Sequence, residues 1–248
     1  MVRVKTQRGY VMPGLGTIIN TAAIVAGGLL GLLFKNLLTK SMEDTLLKAS
    51  SVCVLFIGIG GAMSQMLKIT DGALATSGSM MLIICFVLGG LVGELLNIEG
   101  AFERFGAWLR KKTHNESDSG FLSGFIHASL TVCIGAMAIV GSIQDGLLGD
   151  ASLLCAKAAL DAVIILVMTA SMGKGCIFSA VPVGILQGSV TLLARLLQPV
   201  FTDAALSNLS LVGSVLVFCV GLNLVWGKKI RVANLLPSLI VSVVWAFL

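Results

Sequence analysis

The chain has 248 residues, of which 56% are hydrophobic and only 12% charged, with a formal net charge of +5. Soluble domains hold about 25% charged residues. This composition, with a mean hydropathy of +1.00, therefore excludes a water-soluble globule and makes lipid the solvent. The basic residues stand in short runs between apolar segments, which argues against a nucleic-acid surface and fits the positive-inside rule.

In chain order, an N-terminal tail (1–16) carries Arg3, Lys5 and Arg8 ahead of an apolar run over 18–34. That run is too long for a signal peptide and lacks a small-residue cleavage site, so it reads as a first membrane helix, 17–38. Apolar stretches of roughly 17–25 residues predict helix two over 50–67 and helix three over 77–97. The one extended hydrophilic segment, 98–119, follows. Within it Phe102, Phe105, Trp108 and Leu109 recur at helical spacing, opposite Glu103, Arg104, Arg110 and Lys111. An amphipathic stretch on the cytoplasmic membrane surface, then a polar linker, is the expectation; a partner-binding segment is the second reading. Helices four to seven are expected over 120–143, 151–172, 176–197 and 210–226. The last, 235–248, is short: 14 residues rise only about 21 Å. Beta-barrel alternation is absent. The fold class is thus an all-α integral membrane protein of about eight transmembrane helices in one membrane domain, with helices 1–3 in 17–97 and helices 4–8 in 120–248.

Lysines and arginines set the orientation. Eleven (Lys35, Lys40, Lys48, Arg104, Arg110, Lys111, Lys112, Lys174, Lys228, Lys229, Arg231) fall on one side, and five (Arg3, Lys5, Arg8, Lys68, Arg195) on the other. The richer side belongs in the cytoplasm, which puts both termini outside for eight spans. The six cysteines all lie in apolar stretches without a CxxC pair, and His114 and His127 lack zinc-ligand spacing. No disulfide, metal or cofactor is expected.

Segments 42–59 and 205–222 align without a gap. Ser51, Val52, Val54 and Gly58 meet Ser214, Val215, Val217 and Gly221, and upstream Leu29-Leu30 meets Leu192-Leu193. Helices 1–3 would then correspond to helices 6–8, inverted because five spans separate the copies, as in many transporters. Chance likeness between apolar helices is the competing explanation. Gly27-Gly28-x-x-Gly31 and Gly89-Gly90-x-x-Gly93 read as helix-packing motifs, not phosphate cradles.

Ionisable residues inside a membrane are costly and are usually functional or paired. The run Gln144-Asp145-Gly146-Leu147-Leu148-Gly149-Asp150 suggests a glycine-broken helix lining a cavity; a plain turn with Asp150 capping helix five is the alternative. Lys157 and Asp161 stand four apart on one helical face and near the bilayer centre, either as a neutralised structural pair or as a proton- or cation-linked switch. Glu94 reads as a snorkelling interfacial charge or as a pocket residue. Asn20, Gln187, Asn223 and Asn234 read as interhelical glue, or as polar lining for a pocket around Asp161.

Several of these stretches resemble one family. The opening Gly16-Thr17-Ile18-Ile19-Asn20, the block from Gln144 to Leu154, the Lys157–Asp161 pair, Ser179-Ala180-Val181-Pro182-Val183 and Asn234-Leu235-Leu236-Pro237 are similar to the bacterial membrane-protein family typified by YqgA and YdfK. The resemblance covers nearly the whole chain. It implies a prokaryotic inner-membrane protein and, because members open near the G-T-x-x-N motif, Met12 as the start; it carries no established activity.

The reading that follows is a transporter or channel for a small solute or ion, in a homo-oligomer within the lipid bilayer. Asp145, Asp150, Lys157, Asp161, Gln144, Asn20, Gln187, Asn223 and Glu94 are its candidate binding residues, and 144–150 is its gate. A non-transporting scaffold or regulatory protein is the alternative. An enzyme is not expected, since no HExxH, GxGD or serine–histidine arrangement is present.

Overall fold

A computed structural model of the chain describes residues 13–35, 39–70, 73–115, 120–134 and 136–248. The tail with Arg3, Lys5, Arg8 and Met12, and the linker residues 116–119, lie outside them.

Helix α1 (Leu15–Lys35) is the first expected span. The second, α2 (Lys40–Met66), begins ten residues earlier than its apolar run. Polar side chains do not stop a helix; they decide only which solvent it meets. Thr39 caps α2 by accepting the Met42 amide at 3.3 Å, and Lys48 pairs with Asp44 at 2.6 Å one turn along. Between α2 and α3 a short hairpin pairs β1 (Leu67–Thr70) with β2 (Ala73–Thr76). Helix α3 (Ser79–Leu96) ends at Asn97, whose left-handed backbone (φ +47°) turns the chain directly into α4 (Ile98–Lys112).

The expectation for 120–143 fails in an informative way. Two helices, α5 (Phe121–Cys133) and α6 (Ala136–Leu148), replace one continuous span. They bend by 62° at the break between them. The 144–150 run, expected to be broken, is helical through Leu148. It ends only at Gly149 (φ +67°), whose amide bonds the Asp145 carbonyl at 3.1 Å. Helix α7 (Ser152–Met172) follows, and then a 3₁₀ turn (Lys174–Ser179) leads into α8 (Ala180–Leu192) and the short α9 (Ala194–Leu197). After α10 (Asp203–Trp226), a second 3₁₀ turn (Val232–Leu235) leads into α11 (Pro237–Trp245).

Among the described residues six helical segments are long and apolar enough to cross a bilayer, and the bent pair makes a seventh if it forms one span. The chain is an all-α membrane protein. Large apolar side chains such as Leu33, Phe56, Met80, Leu91 and Leu95 are left exposed on α1, α2 and α3, a lipid-facing coat rather than a folding fault. The core runs instead along α5, where Phe121 and Phe125 are fully buried.

Glycines set the closest approaches. A β-carbon at Gly27 would lie 2.3 Å from the Ala162 carbonyl oxygen, and one at Gly31 2.4 Å from that of Leu166. Helices α1 and α7 therefore run parallel and nearly in backbone contact. Gly93 and Gly89 bring α3 just as close, but antiparallel, to Asn234 and Ser238, at 1.8 and 2.3 Å.

Candidate functional site

Asp161 lies nine residues into α7, about 14 Å along it, and is only 4% exposed. Its Oδ2 pairs with Lys157 Nζ one turn earlier and accepts Asn20 Nδ2 of α1 at 3.1 Å. The Gly27–Ala162 approach brings Asn20 this close, because a bulkier residue there would push α1 away. Lys157, 6% exposed, also donates to the Val132 carbonyl at 2.8 Å. In an unbroken helix that carbonyl would accept the amide of residue 136. The α5–α6 break frees it, and the negative end of the α5 dipole then faces the ammonium. Lys157 thus bridges a carboxylate and a helix end inside the protein, away from lipid.

Asp145 is fully buried on α6 and accepts the Gly16 amide at 3.1 Å, satisfying one orphan donor in the first turn of α1. Its other oxygen has no partner among the described residues. Among the described residues, Asn20 Oδ1, Ser129 Oγ, Ser142 Oγ and both polar atoms of Gln187, which is 1% exposed on α8, likewise have none. Nearby, Thr17 and Thr191 bring their hydroxyls to 3.5 Å between α1 and α8. Such orphans in one helix cluster are sites for water or a small polar solute. Of the candidates, then, Asn20, Lys157 and Asp161 are joined directly; Asp145 and Gln187 sit on helices packed around them.

The others lie apart. Gln144 is half-buried on α6. Asp150 is exposed and accepts the Ser152 amide at 3.0 Å in the turn ahead of α7, whose N-cap is Ala151 and not Asp150; hydrogen bonding to Ser152 holds its carboxyl below the ordinary value. Asn223 closes the turn after α10, donating to the Ile230 carbonyl at 2.7 Å and accepting the amides of Lys229 and Ile230. It shares a cavity with Met172, which is 11 residues, about 16 Å, beyond Asp161 along α7. Glu94 pairs with Arg231 at 2.5 Å and accepts Asn234 Nδ2 at 2.6 Å at the end of α3.

That cavity was not foreseen. It holds about 430 Å³ and is lined by Glu99, Glu103, His127, Asn223 and Lys228 among apolar side chains. Glu99, only 5% exposed, accepts the Ala233 amide at 3.0 Å and pairs with Lys228 at 3.0 Å; Lys228 also binds Glu103. Burial disfavours the Lys228 charge, but hydrogen bonds to Glu103 and Glu99 outweigh it and hold the ammonium above its ordinary pKa. The four-residue spacing of Glu99 and Glu103 was legible, yet the 98–119 segment reads as a surface helix. In fact α4 docks on the bundle: Leu109 is buried, a β-carbon at Gly106 would meet Leu122 at 2.7 Å, and Phe105 stands 5.9 Å from Phe125.

A multi-pass helical protein with a buried ion pair at a helix break belongs among the polytopic membrane proteins whose interiors hold polar centres. More particularly, the chain belongs to the family described as protein of unknown function (DUF554), whose model matches residues 15–247. Uncharacterized membrane protein YdfK of Bacillus subtilis is 29% identical over 232 residues, covering 94% of this chain and 95% of its own. Uncharacterized protein YqgA of Escherichia coli is 26% identical over 235 residues, covering 92% and 94%. No solved structure matches.

Proposed function

We propose that the protein is a transporter or channel for a small solute or ion, built around Asp161, Lys157 and Asn20. The observation that carries this is the ion pair itself, held inside the bundle at a broken helix among unpartnered polar atoms. Non-helical backbone at membrane depth is tolerated where it is buried or lines a hydrated path, and intramembrane charges mark such paths. A proton or cation arriving at Asp161 loosens its hold on Lys157. The freed ammonium keeps the Val132 carbonyl as partner and returns to Asp161 to expel the passenger.

Taken as an inverted repeat, the aligned segments fit the same reading. Two helices related by a local twofold axis must cross at equivalent positions. With the 163-residue offset of the alignment, Gly58 corresponds to Gly221 and Leu55 to Phe218. A β-carbon at Gly58 would lie 2.6 Å from the Phe218 amide nitrogen, and one at Gly221 2.9 Å from Leu55. The same offset pairs Thr21 with Gly184, whose β-carbon would lie 3.5 Å from the Thr21 hydroxyl. Transporters built from inverted repeats bind substrate between the copies; the copies in this proposal are α1–α2 and α8–α10.

The test is flux of alkali cations and common metabolites into proteoliposomes. Wild-type protein should carry at least one of them, and Asp161→Asn should abolish or strongly reduce that flux. Unchanged flux for every carried solute would remove Asp161 from the pathway. A non-transporting scaffold instead predicts no flux and a copurifying partner on the outer face of α4, where Trp108 is 56% exposed.

A further inference from the structure

The cavity beside α4 has a chemistry of its own. Its mouth carries two carboxylates, Glu99 and Glu103, against one ammonium, Lys228, so its local charge is net negative. Its inner wall is apolar, formed by Leu122, Ile126, Leu130 and Val220. Glu103 and Lys228 are each close to half exposed, whereas Glu99 is buried; the charged end therefore faces water and the apolar end points into the bundle. His127 Nδ1 lies 2.8 Å from the Ser123 carbonyl, which can only accept. Nδ1 thus holds a hydrogen, which leaves Nε2 to accept whenever the ring is neutral. Acceptors outnumber donors at one end and hydrocarbon lines the other.

We infer that this cavity binds a small amphipathic primary amine, with its ammonium on Glu99 and Glu103 and its alkyl body along α5 and α10. An incoming ammonium replaces Lys228, which occupies the same two carboxylates and stands exposed enough to swing away. A carboxylate ligand meets two like charges for every opposite one and is rejected. The charged end of this site lies at the level of Met172, 11 residues beyond Asp161 along α7, and its occupancy is measured without transport.

The experiment is titration calorimetry of the full-length protein, purified in detergent free of phosphatidylethanolamine, with n-butylammonium and with butyrate. Saturable binding of n-butylammonium, and none of butyrate, is expected. Glu103→Gln should weaken the amine at least tenfold, and its half-exposed position spares the fold. Glu99→Gln should do likewise while keeping an oxygen for the Ala233 amide. Lys228→Gln should tighten amine binding, because it removes the internal competitor; an anion site would instead lose its ligand. Adding phosphatidylethanolamine to the micelles separates the two sources of the ammonium: competition assigns the site to a lipid headgroup, no competition to a soluble amine. No saturable n-butylammonium binding, unchanged affinity in Glu103→Gln, or butyrate binding abolished by Lys228→Gln would each overturn the inference.

Discussion

Lys157 and Asp161 neutralise each other where neither is tolerable alone. Removing one partner of a buried pair leaves an uncompensated charge, costing about 3–5 kcal/mol, whereas replacing both by apolar groups of similar size is often close to neutral. Asp161→Leu should therefore destabilise the protein far more than the Lys157→Met/Asp161→Leu double variant does. Unfolding midpoints in detergent measure this directly; equal losses in single and double variants would mean the two charges are not coupled. The four-residue spacing made this pair legible in the sequence. Its other two partners were not, because Asn20 lies 141 positions away and the Val132 carbonyl becomes available only when a helix breaks. Asn223 and Glu94 carried the same polar signal as Asn20, but spacing along the chain does not say at which end of a bundle a residue arrives.

At the scale of elements, helix pairs are set by glycine. Gly27 admits the Ala162 carbonyl, while a β-carbon at Gly60 on α2 would find nothing within 4 Å among the described residues. Gly27→Val should thus separate α1 from α7, pull Asn20 off Asp161 and reduce the monodisperse fraction on size exclusion, whereas Gly60→Ala should leave the elution profile unchanged. If the two variants behave alike, close approach is not what holds α1. The doubled glycine motifs were readable as packing devices, but their partners were not. Hydropathy likewise placed the apolar centre of each helix and missed both its polar extension, as in α2, and its interruption, as at the α5–α6 bend. An apolar window averages over a single broken turn.

For the whole molecule, the lysine and arginine bias predicts an orientation. The end holding Glu99, Lys228, Arg231 and the basic end of α4 should face the cytoplasm, with the opposite face carrying Lys68 and Arg195. In a variant with all six native cysteines replaced, a cysteine at position 111 should resist a membrane-impermeant maleimide in intact cells and react in inverted vesicles. One at position 68 should behave the opposite way; the reverse pattern for both would invert the topology.

Composition alone determined that this chain lives in lipid, because too few charges remain to solvate its surface, and periodic apolar length determined roughly where its helices lie. Those are local, additive properties of a chain. Which polar groups meet is a matter of shape. The bend between α5 and α6, the docking of α4 over a cavity, and the joining of Asn20 to Asp161 all depend on backbones approaching within a glycine's width, and only the folded bundle decides that.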